Sequence, residues 1–329
     1  MTSIIVTVLL FKKSVMKYTF VLFLLILPFT SFTQENKTLW TAAWNPNDEM
    51  IAIGGSPGEL MLFDGKTFEL LKTYSVEGEI LSRLKWHPNQ NKLAVITQSA
   101  SFKAKIIDLD EDKWIELEGL ESSLRALDWN HDGSMLALSE FDGEISIFDV
   151  NGKRVSRFVA DPKSVTGIDW HPERNILTAV GSRIGVFDHQ GKASKIFNPR
   201  TVEVLLLCVE WHKSGDFFAT GDYGDSANAE NKLIQFWNMD GEKLGETPGS
   251  VAEYRNIRWS PDGKVLASAN DALRIWDQTG TLIKESHSSE DYLWGIDWNS
   301  DGSKIVTTSD RGVITLWDKD LSIIKQLEY

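Results

Sequence analysis

The sequence predicts an all-β fold made of seven repeated units, and the spacing of its tryptophans is the first observation that predicts it. Most of these tryptophans precede a turn sequence such as His-Pro or Ser-Pro-Asp-Gly. Such a period is typical of repeat folds, so we expect each tryptophan to end one strand and open a tight turn. Seven tryptophans stand 39 to 48 residues apart: Trp44, Trp86, Trp129, Trp170, Trp211, Trp259 and Trp298.

Three further strands are predicted in each unit. A short apolar run, such as residues 136–138, is followed by a segment of alternating apolar and polar residues that ends on Asp or Asn. A more polar fourth segment, such as residues 67–73 or 321–327, completes the unit. Four antiparallel strands in each of seven units predict a seven-bladed β-propeller. The residues expected to close the third strands are Asp64, Asp108, Asp149, Asp188, Asn238, Asp277 and Asp318.

The repeats resemble those of the WD-repeat family over residues 38–329. Two units match its motif most fully: Trp259-Ser-Pro-Asp-Gly with Ile275-Trp276-Asp277, and Trp298 with Trp317-Asp318. The other five depart from it at the tryptophan or the aspartate. The resemblance implies a propeller that presents a binding surface and catalyses no reaction.

Two departures from the family pattern lead to structural expectations. An N-terminal strand often completes the last blade in the family, but residues 321–327 already supply that strand here, so we expect side-chain packing alone to close the ring. The buried hydrogen-bond tetrad of the family has candidates only in the last unit. These candidates, with His287 expected to be a structural partner, are His287, Thr307, Asp310 and Trp317.

The seven repeat tryptophans are interpreted as structural. A large ring at a constant repeat position fills the taper between neighbouring blades. No metal site or cofactor is predicted, because three of the six histidines directly follow repeat tryptophans of different units and therefore do not converge. A G-x-S-x-G match at residues 54–58 is interpreted as a coincidence, since it lies in a predicted hairpin and lacks the strand-to-helix elbow that the motif requires.

A candidate binding surface lies where the first strands begin. In the family these strand starts belong to the upper rim of the central channel, and Trp, Tyr and Arg dominate binding hot spots. Four residues before the repeat tryptophans stand Trp40, Ser82, Arg125, Thr166, Leu207, Arg255 and Trp294. We expect a partner to be bound by Trp40, Arg125, Arg255 and Trp294, together with Glu253 and Tyr292. The alternative is that Trp40 and Trp294 only plug the channel.

The fifth unit carries a longer loop, residues 221–231, which the family layout places over the same rim. Long loops in compact domains are often functional, and we interpret this one as a solvated loop that gates the rim. Asp222, Asp225 and Glu230 could bind calcium, but they lack the spacing of a known calcium loop.

The N-terminus predicts export. Residues 1–33 contain three lysines and no acidic residue, and the apolar run 18–29 precedes a polar stretch. This order is typical of a secretory signal peptide. We expect cleavage before Gln34 and one propeller domain over 34–329, with Met16 as an alternative start. The single cysteine, Cys208, excludes intrachain disulfides and favours a bacterial envelope, periplasmic or extracellular.

Three function classes follow, of which an interaction module for a protein or peptide partner is favoured. A carbohydrate-binding propeller would use Trp40, Tyr292 and Trp294 as stacking platforms. A propeller hydrolase or lyase would need paired carboxylates facing the channel, and the assigned rim positions offer only Glu253. The net charge of −13 argues against nucleic acid, and we expect no stable membrane insertion after cleavage of the leader. The oligomeric state is left open.

Overall fold

The computed structural model describes residues 37–56, 58–75, 80–98, 104–225, 231–287 and 291–329. The predicted signal peptide lies outside these residues. All regular structure in the described ranges is β, in seven sheets of four consecutive antiparallel strands. The predicted all-β seven-bladed propeller is therefore confirmed.

Each blade is one sheet, numbered in chain order. The strands of blades 1 to 4 are β1 (Leu39–Trp44), β2 (Met50–Gly55), β3 (Glu59–Asp64), β4 (Leu70–Ser75), β5 (Leu81–Trp86), β6 (Lys92–Thr97), β7 (Ala104–Asp108), β8 (Lys113–Glu116), β9 (Leu124–Trp129), β10 (Met135–Glu140), β11 (Glu144–Asp149), β12 (Arg154–Val159), β13 (Val165–Trp170), β14 (Ile176–Gly181), β15 (Ile184–Asp188) and β16 (Ala193–Phe197). Those of blades 5 to 7 are β17 (Leu206–Trp211), β18 (Phe217–Asp222), β19 (Ile234–Asn238), β20 (Lys243–Glu246), β21 (Asn256–Trp259), β22 (Val265–Ala269), β23 (Leu273–Asp277), β24 (Leu282–Ser286), β25 (Leu293–Trp298), β26 (Lys304–Ser309), β27 (Val313–Asp318) and β28 (Ile323–Glu328).

The repeat residues stand at equivalent places in every blade. Each repeat tryptophan is the last residue of a first strand, and each third strand ends on the Asp or Asn that the pattern indicated. In all seven blades that Asp or Asn side chain accepts backbone N–H bonds from the turn that follows. The short side chain thereby turns the chain into the fourth strand.

The repeat tryptophans lie between the blades. All seven are only 4–7% exposed. Five indole N–H groups donate to the main chain of the preceding blade, at 3.0–3.4 Å, which satisfies a polar atom that burial would otherwise leave without a partner. The donor and acceptor residues are Trp86 to Ala43, Trp129 to Lys85, Trp170 to Asp128, Trp259 to Glu210, and Trp298 to Arg258.

The seam between blade 7 and blade 1 is closed by hydrogen bonds as well as by apolar packing. Leu39 and Ile314 share one buried apolar cluster across it. Thr308 Oγ1 donates to the Leu39 carbonyl at 3.0 Å, and Thr38 Oγ1 donates to the Asp310 carbonyl at 3.0 Å. The expectation that packing alone closes the ring is wrong, because threonine hydroxyls reach main-chain carbonyls across the seam.

The four candidates for the hydrogen-bond tetrad in the last blade do not join into a tetrad. Trp317 Nε1 donates to Thr307 Oγ1 at 2.8 Å, and Asp310 accepts a backbone N–H. His287 is exposed and contacts Glu285 Oε1 at 3.1 Å, so its assignment to the tetrad is corrected. The restriction to the last blade also fails, since the same indole-to-hydroxyl bond joins Trp276 to Ser268 and Trp237 to Thr220.

Candidate functional site

The first strands of all seven blades surround a central channel. A small cavity of about 40 Å³ inside it is lined by residues from every first strand. Among them are Arg83 of blade 2 and Cys208 of blade 5, each three residues before its repeat tryptophan. The channel opens toward the ends at which these strands begin, and we call that end the upper rim.

A β-bulge brings one residue of the first strand to the upper rim in six blades. In blade 1, Leu39 pairs with Gly55 and Thr41 pairs with Gly54, so Trp40 is skipped in the ladder. A bulged residue is not paired with the neighbouring strand, and the bulge changes the direction of its side chain. In blade 6 the strand begins directly after Arg255. The residues skipped in the other five blades are Ser82, Arg125, Thr166, Leu207 and Trp294.

These seven rim residues line one cavity of about 240 Å³, the rim cavity. The ring of positions expected from the sequence is thus brought together by a repeated backbone feature. Five more residues complete the lining: Arg83, Gln98, Phe141, Leu205 and Tyr223. Sequence reasoning missed Arg83 as a rim residue, although it directly follows the bulged Ser82.

Three of the expected binding residues form one cluster where blade 7 meets blades 6 and 1. The rings of Trp40 and Trp294 lie 4.6 Å apart between centroids and are tilted by 58°. The guanidinium carbon of Arg255 lies 4.4 Å from the centre of the Trp294 ring. Glu253 Oε1 accepts from the Arg255 side chain at 2.6 Å, which holds the guanidinium in place.

The remaining expected residues lie apart from this cluster. Arg125 lines the rim cavity, and its guanidinium carbon is 4.8 Å from the centre of the Phe141 ring. Glu253 and the half-exposed Tyr292 line a neighbouring cavity of about 190 Å³, whose wall also includes Arg255, Trp294 and Asp310. The Arg255–Trp294 stack therefore separates two cavities at the rim.

A row of charged residues that sequence reasoning missed lies lower in the first strands. Lys85 Nζ and Asp128 Oδ1 are 3.2 Å apart. Arg258 lies 2.5 Å from Glu210 and 3.6 Å from Asp297. The rim positions weighed for paired carboxylates did not include this row, which carries four acids: Asp128, Asp169, Glu210 and Asp297. The signal was a charged residue directly before six of the seven repeat tryptophans: Lys85, Asp128, Asp169, Glu210, Arg258 and Asp297.

The carboxylates of this row bind the next blade. Asp297 Oδ2 accepts the Trp44 N–H at 2.8 Å, and Asp128 and Asp169 accept the N–H groups of the next repeat tryptophans in the same way. Burial raises the pKa of the Asp297 carboxyl to about 6. Burial, followed by the negative charges of Glu210 and Asp128, raises the pKa of the Asp169 carboxyl.

Comparison with known proteins agrees with this geometry. The family model for the WD domain, G-beta repeat, matches residues 242–277 and 280–318. A second model, the Anaphase-promoting complex subunit 4 WD40 domain, matches residues 114–173. The chain belongs to the WD-repeat family. The matched segments lie in blades 2 to 4 and 5 to 7 of the propeller.

Individual relatives are distant. The chain is 23% identical over 263 residues to Eukaryotic translation initiation factor 3 subunit I of Botryotinia fuckeliana, covering 71% of this chain and 76% of the relative. It is 29% identical over 148 residues to Minichromosome loss protein 1 of Schizosaccharomyces pombe, covering 41% and 17%. It is 22% identical over 232 residues to the Intraflagellar transport protein 122 homolog of Mus musculus, covering 68% and 18%. The chain thus spans less than a fifth of the last two relatives.

The WD-repeat propeller also carries a group of three acids in blade 3. Oxygens of Glu140, Asp142 and Glu144 lie within 4.8 Å of one another. The Arg157 guanidinium contacts both Glu140 and Glu144, and it also bonds Glu121 Oε1 at 2.9 Å. Arg157 thus compensates the charge of two of the three acids.

The long loop of blade 5 is fastened by an arginine. Arg200 lies 2.6 Å from Asp222 Oδ2 and 3.8 Å from Asp225 Oδ2. Asp222 is fully buried and also accepts the N–H groups of Gly224 and Leu233. These two acids therefore anchor the base of the loop. Glu230, the third residue weighed for calcium, lies outside the described residues, and the role of the loop as a gate stays a prediction.

The G-x-S-x-G match is part of a hairpin. The G-x-S-x-G match lies between the second and third strands of blade 1, where Ser56 Oγ donates to the Thr38 carbonyl at 3.3 Å; residue 57 lies outside the described part. Within the ranges that the structure describes, no helix is long and apolar enough to cross a membrane.

Proposed function

We propose that this WD-repeat propeller is a non-catalytic interaction module that binds a protein or peptide partner over the upper rim. The observation that carries the proposal is the cluster of Trp40, Arg255 and Trp294 at the wall of the rim cavity. Tryptophan and arginine that are partly exposed, clustered and held by neighbours are the side chains that dominate binding energy at interfaces.

The size of the rim cavity supports a peptide over a small molecule. Pockets for drug-sized ligands measure about 300–1,000 Å³, whereas the rim cavity measures about 240 Å³. A space of this size suits one or two side chains of a partner that covers the rim. Two of the relatives and family models are named as subunits of larger assemblies, which agrees with a role in binding other proteins.

The alternatives are less well supported. A sugar ring needs the open face of an aromatic ring, but Arg255 covers one face of Trp294 and Trp40 packs at 4.6 Å. Tyr292, the third platform residue, lines the neighbouring cavity. An enzyme would need free carboxylates, and those of the lower row are engaged by cations and by backbone N–H groups of the next blade.

Affinity capture from extract tests the proposal. The bait is the purified protein, compared with the triple variant Trp40→Ala, Arg255→Ala and Trp294→Ala. A matched control replaces three residues of outermost strands, Val155, Lys195 and Leu282, by Ala. We expect the protein and the control to retain the same partner and the rim variant to lose it, with all three unfolding cooperatively. A partner retained equally by the rim variant would contradict the proposal.

We further propose that the protein is exported to a bacterial envelope, on the basis of the lysines and the apolar run in residues 1–33. Mass spectrometry of the N-terminal peptide in separated cell fractions tests this. We expect a mature N-terminus at or near Gln34 in the periplasmic or extracellular fraction. An uncleaved chain found only in the cytosolic fraction would refute export.

A further inference from the structure

Three arginines converge on the rim cavity of a chain whose net charge is −13. Arg83, Arg125 and Arg255 come from blades 2, 3 and 6, and all three line the cavity. Among its described lining residues there is no Asp or Glu. The rim cavity is thus a cationic site on an otherwise acidic protein.

Two of the three guanidinium groups lack an acidic partner within the described ranges. Arg255 is paired with Glu253. Arg125 stacks on Phe141, but its Nε atom is buried and makes no hydrogen bond to any residue that the structure describes. Arg83 Nη1 donates to the Ser82 carbonyl at 3.0 Å, which satisfies one of five N–H groups.

The surroundings of these arginines favour an added negative charge. Burial lowers the pKa of Arg83 to about 10, and the positive charges of Arg258, Arg255 and Arg125 act in the same direction. Burial and then the charge of Arg255 also lower the pKa of Arg125. Because arginine stays positively charged in proteins, an anionic ligand would compensate the charge of both groups.

Besides the arginines, apolar and aromatic side chains line most of the cavity, with Phe141, Leu205 and Leu207 beside the tryptophans and Tyr223. The remaining lining residues, Ser82, Gln98 and Thr166, are polar and uncharged. A matching ligand therefore has a planar anionic head on a short apolar stem. The guanidinium fork bonds a carboxylate through two parallel N–H groups. We propose that the rim cavity binds the side-chain carboxylate of an Asp or Glu in a peptide segment of the partner. This inference rests on the proposed function and names the chemistry that its site recognises.

The test uses pools of N-acetylated, C-amidated pentapeptides with mixed outer positions and one fixed central residue. The central residue is Glu, Asp, Gln, Leu, Lys or phosphoserine, and each pool is passed over the immobilised protein. We expect the Glu and Asp pools to be retained above the Gln, Leu and Lys pools. The best-retained acidic peptide is then resynthesised with Gln at the centre, and both are titrated by calorimetry.

The variant Arg125→Gln removes one unpaired guanidinium at a partly exposed position, so it is the first to be measured. We expect it to weaken binding of the acidic peptide about tenfold or more, as loss of a hydrogen bond to a charged group does. Binding of the Gln peptide should stay unchanged. Arg154→Gln, on the outermost strand β12, makes the same charge change away from the channel and should have no effect. Arg83→Gln, checked for cooperative unfolding, should act like Arg125→Gln.

Equal retention of the acidic and neutral pools overturns the carboxylate assignment. If that retention is lost in Trp294→Ala, the proposed peptide-binding function still stands. Retention of the phosphoserine pool alone also overturns the assignment to carboxylate. Retention of no pool overturns it as well, and the capture experiment with the triple rim variant then decides the proposed function independently.

Discussion

Arg255 stacks on Trp294 with its guanidinium carbon 4.4 Å from the ring centre, and this pair forms the wall between the two cavities of the upper rim. The stack joins blade 6 to blade 7. Glu253 orients the arginine from the side of the second cavity. The Arg255 guanidinium, paired with Glu253, and the Trp294 indole thus line both cavities of the surface that we propose binds the partner.

The indole N–H bonds between blades should contribute measurably to stability. Trp170 Nε1 donates to the Asp128 carbonyl at 3.1 Å, whereas Trp44 Nε1 is buried without a partner in the described structure. Both rings are almost fully buried. We expect Trp170→Phe to lower the free energy of unfolding by about 1 kcal/mol more than Trp44→Phe. Urea unfolding of both variants checks this, and equal losses would show that packing alone matters.

Closure of the ring should depend on Thr308. Its hydroxyl accepts the Gly295 N–H within blade 7 and donates to the Leu39 carbonyl of blade 1, both at 3.0 Å. Ser139 accepts the corresponding bond within its own blade, from Ala126 N–H, and within the described ranges it has no bond to the next blade. We expect Thr308→Val to cost about 2 kcal/mol of unfolding free energy and Ser139→Ala about 1 kcal/mol. Thermal unfolding measures both losses. A larger loss of stability in Ser139→Ala than in Thr308→Val would contradict the role of Thr308 in the seam.

The raised pKa of Asp297 predicts how stability changes with pH. The folded pKa of about 6 exceeds the ordinary aspartate value of 3.8, so the folded state binds the proton more tightly and lowering the pH from 7 to 5 stabilises it through this group. We expect Asp297→Asn to remove that gain. Urea unfolding at pH 7 and pH 5 measures the difference.

Asp277 provides the control for this measurement. Its side-chain and backbone bonds to Thr279 and Thr281 lower its pKa, so its contribution to the free energy of unfolding is lost only below about pH 4. Asp277→Asn should therefore leave the change in unfolding free energy between pH 7 and pH 5 intact. An identical pH dependence in the protein and in Asp297→Asn would contradict the assignment.

Arg157 should be required for the acids of blade 3. Glu140 is fully buried, and Arg157 is the cation that contacts it. Removing one partner of a buried pair typically costs about 3 kcal/mol or more, which is the loss expected for Arg157→Gln. Adding Glu140→Gln should recover part of it because the uncompensated charge is gone. A double variant less stable than Arg157→Gln would refute this account.

The repeat and the seven rim residues could be predicted from the sequence. The reason is that the number of residues from the upper rim to the repeat tryptophan is the same in every first strand. Counting back four residues reaches Trp40 and Trp294 at the bulge. The same count misses Arg83, because a bulge lets two successive residues face the channel and only one of them was considered. Alternation along the strand then places Lys85 on the same face as Arg83, and a count of four residues back from the tryptophan does not reach this lower row.

The contacts that depend on the closed ring could not be predicted from the pattern. Thr38 and Asp310 are distant in sequence and meet only because blade 7 returns to blade 1. His287 matched the family pattern in position, but its side chain pairs with Glu285, two residues earlier in the chain. A residue type at a repeat position indicates where the backbone passes, whereas its partner depends on the neighbouring blade.

Site-specific photo-crosslinking tests the central claim, that a partner binds over the upper rim, most directly. Benzoylphenylalanine at Tyr223, an exposed residue of the rim cavity, is compared with the same residue at His131, in the turn after Trp129 at the opposite end of the first strand. We predict that irradiation in extract yields a partner adduct from position 223 and none from position 131. Adducts from position 131 alone, or equally from both, would contradict the claim.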